Sequence, residues 1–275
     1  MFHSIKVLTK SSIISFAKSL KSHKLGRYFL EQVLNSAMNQ SSQVDHNGFN
    51  LKFTIPNGLN QYRIDTFSSK EPETLDWIDR IPVGSVMWDI GANVGLFSVA
   101  SAALAGATGK VFSCEPDVWL VQLLRNTASL QSEKSAPMDI LPIGVAGSLG
   151  LNRFALAKRS RATNHLQGYG STMAGGVREW TTIFCVTLNW MSENLPLPDV
   201  LKIDVEGAEG ELFSAAEDLF VKKRPVVLVE VNPGSIDFVS KFLLRHKYRL
   251  LDADQFGNEV PIQVDTANIL ALPMD

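Results

Sequence analysis

Cysteine is scarce in this chain: Cys114 and Cys185 are the only two in 275 residues, and both sit in apolar, strand-like runs. Neither has the spacing of a metal site or a disulfide framework, so reduced, buried thiols are expected. Long hydrophobic runs are also missing. No segment approaches the ~20 consecutive apolar residues that a spanning helix needs. There is no excess of positive charge either. The formal net charge is −2, which argues against a nucleic-acid binder driven by phosphate neutralisation. No small-residue cleavage site follows a long apolar region, as a secretory signal would require. These absences read as an intracellular, cytoplasmic chain. What is present is a hydrophobic content of 45% against 20% charged residues, enough to exclude disorder and to build one large core.

The most informative segment is Val86-Met87-Trp88-Asp89-Ile90-Gly91-Ala92-Asn93-Val94-Gly95-Leu96-Phe97. It reads as a buried strand, a glycine turn and a helix. The turn is D-x-G-x-N-x-G, not the G-x-G-x-x-G of dinucleotide-binding enzymes, whose second glycine lets the backbone approach a pyrophosphate. Asn93 holds that position here and would crowd a pyrophosphate, while its polar side chain can bond an amino acid. An acid at the strand end beside open backbone suits a zwitterionic, adenosine-bearing ligand, of which S-adenosylmethionine is the obvious one. Asp89 is expected to hold the ligand ammonium, directly or through water. Gly91 and Gly95 are expected to allow close backbone approach. Glu115, followed by Pro116, ends the next strand near the ~20-residue spacing at which an acid takes a ribose diol in nucleotide-binding α/β folds.

Strand-like and helical runs alternate through the rest of the chain. Strands are expected at Val86–Ile90, Lys110–Glu115, Ile140–Val145, Val200–Asp204, Val226–Val231, Tyr248–Leu251 and Asn268–Leu272. Helices are expected at Gly95–Ala105, Val118–Leu130, Glu209–Phe220 and Ile236–His246. This order predicts an α/β fold with a doubly wound, mostly parallel seven-stranded sheet and ligands at the carboxyl ends of its strands. Ahead of it, Met1–Leu30 carries six Lys or Arg residues and no acid, with Ile5, Leu8, Ile13, Phe16 and Leu20 roughly on one helical stripe. That pattern fits either a helix packed on the domain or a basic amphipathic helix lying on an anionic membrane. Residues 1–50 therefore read as a helical extension whose polar end, Asn35–Asn50, is a linker. Leu51–Ile64 reads as a hairpin turning at Pro56-Asn57-Gly58.

A second chemical segment is Lys202-Ile203-Asp204-Val205-Glu206-Gly207-Ala208-Glu209. Alternation puts Lys202, Asp204 and Glu206 on one side of a strand end, where three ionisable groups are costly to bury without partners. A salt-bridge cluster with no chemical role is the bland alternative. Glu230 and Asn232 on the neighbouring strand are expected to face the same crevice as Asp204.

These segments together resemble the FkbM-type methyltransferases: Asp-Ile-Gly-Ala-Asn-Val-Gly, Glu115-Pro116, Lys-Ile-Asp-Val-Glu-Gly-Ala-Glu at 202–209, and Val-Glu-Val-Asn at 229–232. The similarity spans about residues 80–272, within a methyltransferase domain of 51–275. The resemblance implies a Rossmann-like class I methyltransferase fold and S-adenosylmethionine-dependent O-methylation of a hydroxyl on a sugar, glycan or secondary metabolite. Family members often carry His where this chain has Asn232.

Methyl transfer to an alcohol needs an in-line acceptor and a base within hydrogen-bond reach. Asp204 and Glu206 are the first candidates for the base. His165, in the Gly-, Ser-, Thr- and Asn-rich stretch Arg161–Gly176, is the other. Lys202, Glu230 and Asn232 are the expected acceptor contacts. A metal-assisted variant would use Asp204, Glu230 and Asn232 as oxygen ligands for Mg²⁺, although no resident metal is expected. Two further alternatives are a dehydrogenase, disfavoured by the missing glycine, and a non-catalytic nucleotide- or membrane-binding module. The region Gly147–Trp180 should hold the acceptor-specificity loop.

Overall fold

The computed structural model describes residues 10–170, 175–255, 261–263 and 265–275. Its strands, in chain order, are β1 (Ser41–His46), β2 (Phe49–Thr54), β3 (Val86–Ile90), β4 (Lys110–Cys114), β5 (Met138–Leu141), β6 (Gly144–Val145), β7 (Gly150–Ala157), β8 (His165–Leu166), β9 (Val177–Val186), β10 (Val200–Ile203), β11 (Val226–Glu230), β12 (Tyr248–Asp252) and β13 (Asn268–Pro273). Seven of them form the main sheet in the order β12-β13-β11-β10-β3-β4-β5. Strands β11, β10, β3, β4 and β5 run parallel, and β13 lies antiparallel between β11 and β12. This is the doubly wound, mostly parallel seven-stranded fold expected from the alternation of elements.

The strand residues divide by period two into two covered faces. Trp88, Ile90, Phe112, Leu201, Ile203, Val227 and Val229 pack on one side with Phe213, Phe220 and Phe242 from the helices that cover it. Met87, Val111, Val200 and Leu228 pack on the other with Val99, Ala100 and Ala103 of the helix Leu96–Ala105. The small residues of that helix let it sit close to the sheet. By the same alternation Asp89, Ser113 and Lys202 face this helix from within the sheet, and the register pairs Asp89 with both Lys202 and Ser113.

Four expectations are corrected. Pro142, which has no N–H to give a ladder, divides the anticipated strand Ile140–Val145: β5 stays in the main sheet while β6 pairs with β9 in a second one. Glu209–Phe220 is two helices, Glu209–Ser214 and Glu217–Lys222. The polar stretch 35–50 is not a linker, since a helix runs Lys24–Met38 and β1 follows it. The hairpin is β1–β2, turned by Asn47-Gly48, both at positive φ, the dipeptide that suits a two-residue hairpin turn. Asn57 instead caps the helix Gly58–Asp65, accepting from the N–H groups of Leu59 and Asn60.

The second sheet, in the order β6-β9-β7-β8, is built from Gly147–Trp180 and its flanks. Its long β7–β9 hairpin encloses a small cluster of Phe154, Leu166, Ile183 and Cys185. It stands over the carboxyl ends of β3, β4 and β10, where the clefts described next are found.

Candidate active site

The turn after β3 packs so tightly that its glycines serve the protein before any ligand. A Cβ on Gly91 would lie 1.8 Å from the Asp204 carbonyl oxygen, and Gly91 has φ +84°. On Gly95, at φ +85°, it would lie 2.2 Å from Leu124 Cδ1. Gly91 lines the cleft, whereas Gly95 is absent from its lining. Asn93 takes φ 54°, a left-handed conformation that asparagine tolerates better than most residues. The turn is therefore drawn down onto β10, leaving room above it.

That room is an open cleft of about 600 Å³ lined by Gly91, Asn93, Glu115 and Pro116 from the main sheet and by Phe154, Leu166 and Ile183 from the second. Asp204, Val205 and Glu206 close one end, and Arg161, Ala162 and Asn164 form the other wall. Glu115 is 5% exposed. Its Oε2 accepts from Asn93 N at 2.9 Å and its Oε1 from Asp117 N at 2.8 Å. Each carboxylate oxygen keeps a further lone pair. Burial, opposed by these two N–H donors, pushes the group up to about 8.

The covering wall is tied down by ionic contacts. Asp117 caps the helix Val118–Ser129 by accepting from Trp119 N. Its other oxygen receives the Arg161 guanidinium and, at 2.9 Å, Asn164 Nδ2. Arg161 also lies over the Trp119 ring at 4.8 Å. Nothing in the sequence pattern pointed to Arg161 or Asn164, because their partners lie more than forty residues away.

Beneath the turn is a buried charge cluster. Asp89, 1% exposed, accepts from Ser98 Oγ at 2.5 Å, and Ser113 Oγ donates on to Ser98 Oγ at 2.8 Å. Asp89 Oδ1 has no hydrogen-bond partner among the described residues, and burial raises the group's proton affinity against the opposing Lys202 ammonium. Asp89, expected at the ligand ammonium, lies behind the turn and is absent from the lining of the cleft above. Lys202 is buried too. Its Nζ lies 3.3 Å from Asp204 Oδ2 and 5.2 Å from the Phe97 ring centre. Burial alone would lower its pKa, but Asp204 and Asp89 reverse this and raise it. Lys202, expected as an acceptor contact, is absent from the lining of this cleft and faces two carboxylates, Asp204 and Asp89.

A second cleft opens on the far side of Glu206, lined by Tyr169, Gly207, Glu209, Glu230, Asn232 and Phe238 among others. Glu206 borders both clefts, in a left-handed conformation with φ 54° that ends the strand alternation. Glu230 is pushed up to about 8, first by the neighbouring Asp204 charge. Asn232 Oδ1 is committed to the turn that follows β11, accepting from Gly234 N at 2.8 Å and Ser235 N at 3.0 Å. Among the described residues no three His, Cys, Asp or Glu side chains converge as a metal site. His165, the other candidate for the base, is buried in β8 with Nδ1 2.9 Å from the Thr163 carbonyl oxygen, and it is absent from the lining of both clefts.

The fold and this rim define a class I methyltransferase architecture. The FkbM methyltransferase domain model matches residues 89–250, and the chain belongs to that family. Its activity class is S-adenosylmethionine-dependent methyl transfer, with S-adenosylmethionine as cofactor. The hexuronic acid methyltransferase AglP of Haloferax volcanii is 22% identical over 191 residues, covering 68% of this chain and 72% of that protein. A structure of methyltransferase FkbM from Methylobacillus flagellatus KT aligns with TM-score 0.47 and 13% identity over 70% of this chain, which spans only 44% of that one. Magnesium protoporphyrin IX methyltransferase from Synechocystis PCC 6803, solved with bound S-adenosylmethionine, aligns with TM-score 0.44 and 12% identity over 79% of this chain and 85% of the other.

Proposed function

We propose that this chain transfers a methyl group to a hydroxyl of a sugar or glycan. The observation that carries the cofactor placement is Glu115, a buried carboxylate on the cleft floor with lone pairs left over after binding two backbone N–H groups. A ribose diol supplies the two donors this geometry accepts. Pro116, Phe154, Leu166 and Ile183 offer apolar surface for a base, and Asn93 offers amide groups to the amino-acid end. When bound, S-adenosylmethionine supplies a methyl group on a positive sulfonium. Asp89 acts indirectly, by fixing the turn through Ser98 and sharing Lys202 with Asp204.

Asp204 and Glu230 are assigned as the proton acceptor of the reaction, acting as a pair. Lys202 fixes the Asp204 carboxylate from below. The ionised Asp204 gives Glu230 a proton affinity close to working pH, where a general base is most effective. Glu206 stands between the cofactor cleft and the Glu230 cleft and is assigned to acceptor positioning. The likeness to a hexuronic acid methyltransferase supports a sugar acceptor. Binding of S-adenosylhomocysteine combined with methyl transfer to a panel of sugars and nucleotide sugars tests this reading; tight binding of NAD(H) in its place would favour the dehydrogenase alternative.

The N-terminal helices Lys10–Lys21 and Lys24–Met38 favour an added peripheral contact with an anionic membrane, because Ile13, Phe16, Phe29 and Leu34 are exposed beside Lys18, Lys21, Lys24 and Arg27. The anticipated positions Ile5 and Leu8 lie outside the described residues. Co-sedimentation with phosphatidylserine vesicles, lost when residues 1–38 are removed, supports it; retention after removal contradicts it.

A further inference from the structure

Two side-chain groups have no role in the proposed reaction: the two buried thiols and a strongly basic cleft beside the cofactor turn. The cleft carries the inference. The tip of the β7–β9 hairpin brings Lys158, Arg159 and Arg161 from one strand end against Arg178 from the other, since Ala157 pairs with Val177. This tip faces the helix Gly58–Asp65, which contributes Arg63, and the turn residues Asn93 and Val94. Five cationic side chains therefore line one cleft of about 710 Å³, and no acidic side chain lines it among the described residues. In a chain of net charge −2 such a concentration of like charge creates a local positive potential that attracts an anion.

The cleft is also connected to the chemistry. Asn93, Arg161 and Ala162 line both it and the cofactor cleft. Arg63 is half-buried. Burial lowers its pKa, while Glu71 and Asp204 act in the opposite direction. An anion held by the exposed Lys158, Arg159 and Arg178 would lie in a cleft that meets, at Asn93, Arg161 and Ala162, the cleft that Asp204 lines. Arg161 already serves Asp117, and the other four cations exceed what one carboxylate needs. Guanidinium forks match phosphate oxygens in pairs.

We propose that this cleft binds a diphosphate group carried by the acceptor, so that the substrate is an activated, diphosphate-linked sugar presented to Asp204. This rests on the methyl-donor reading above and adds the chemical class of the acceptor to it.

The test is calorimetric titration of the full-length protein with inorganic pyrophosphate, with inorganic phosphate and glucuronate as comparison ligands. S-adenosylhomocysteine affinity is measured on every sample. Pyrophosphate is expected to bind more tightly than either comparison ligand, and its affinity should fall as salt is raised. The double variant Arg159→Gln/Arg178→Gln should weaken pyrophosphate tenfold or more and leave S-adenosylhomocysteine affinity unchanged, which shows that the fold and cofactor cleft are intact. Absence of pyrophosphate binding, glucuronate binding as tightly, or pyrophosphate affinity that survives the double variant overturns the proposal while leaving the methyltransferase reading in place. Loss of S-adenosylhomocysteine binding in the parent protein overturns both.

Discussion

The Glu115 carboxylate holds the Asn93 backbone N–H at 2.9 Å, fastening the turn after one strand to the end of the next. One carboxylate thereby shapes the cleft floor and, in the proposed reading, offers acceptors to a ribose. Replacing it with a neutral amide removes the charge but keeps the size. Glu115→Gln is expected to weaken S-adenosylhomocysteine by about 1.5–3 kcal/mol, the range for a charged hydrogen bond, as read by calorimetry. A parent-like affinity would remove the ribose assignment.

The same group predicts a pH dependence. Burial raises Glu115 to about 8, above its value in an unfolded chain, and diol donors favour the ionised form. Cofactor affinity should therefore rise from pH 6 to 8 and level off above. Folding stability should move the other way: the protonated group favours the native state, so its contribution is fully present at pH below the unfolded value and is lost as pH rises through 8. Glu115→Gln should flatten both profiles.

For the proton acceptor, turnover should rise with pH through about 8, following deprotonation of Glu230. The largest cause of that value is the Asp204 charge, so Asp204→Asn should lower the midpoint as well as the rate. A fall in rate with an unmoved midpoint would show that the two carboxylates do not act together.

Lys202 faces both Asp89 and Asp204. Lys202→Met leaves two buried or half-buried carboxylates without it, and chemical denaturation should register a loss of about 3–5 kcal/mol, as for a broken buried pair. Retained stability would mean that these carboxylates are solvated or protonated in the native protein.

Gly91→Ala should be more damaging than a single methyl suggests. The new Cβ meets the Asp204 carbonyl oxygen at 1.8 Å, backbone against backbone, in a conformation that L side chains rarely adopt. The positive φ alone costs about 1–3 kcal/mol, and the clash displaces the end of β10. A thermal melt and a cofactor titration should both shift; an unchanged melting temperature would contradict this packing.

The main sheet was legible because its strands are short apolar runs bounded by Gly, Pro and acids, and because parallel pairing demands a helix between each pair. That Asp204 and Glu115 line one cleft was legible because an acid ending an apolar strand has few structural reasons to be there. The burial of Lys202 was not legible: alternation gives its side of the strand, but only the packed helix bearing Phe97 and Ser98 shows that this side is covered. The β1–β2 hairpin was signalled by Asn47-Gly48 and passed over in favour of Pro56-Asn57-Gly58, which is a helix cap. The second sheet was illegible, since β7 and β9 are separated by a long polar excursion and pair only in three dimensions. With it went Arg161, Asn164 and the basic cleft.

Whether the cleft over Glu115 takes the methyl donor is decided by calorimetry of the folded protein with S-adenosylhomocysteine. One site per chain is expected, with affinity reduced in Glu115→Ala; absence of heat with well-folded protein, or binding indifferent to that substitution, would overturn the assignment.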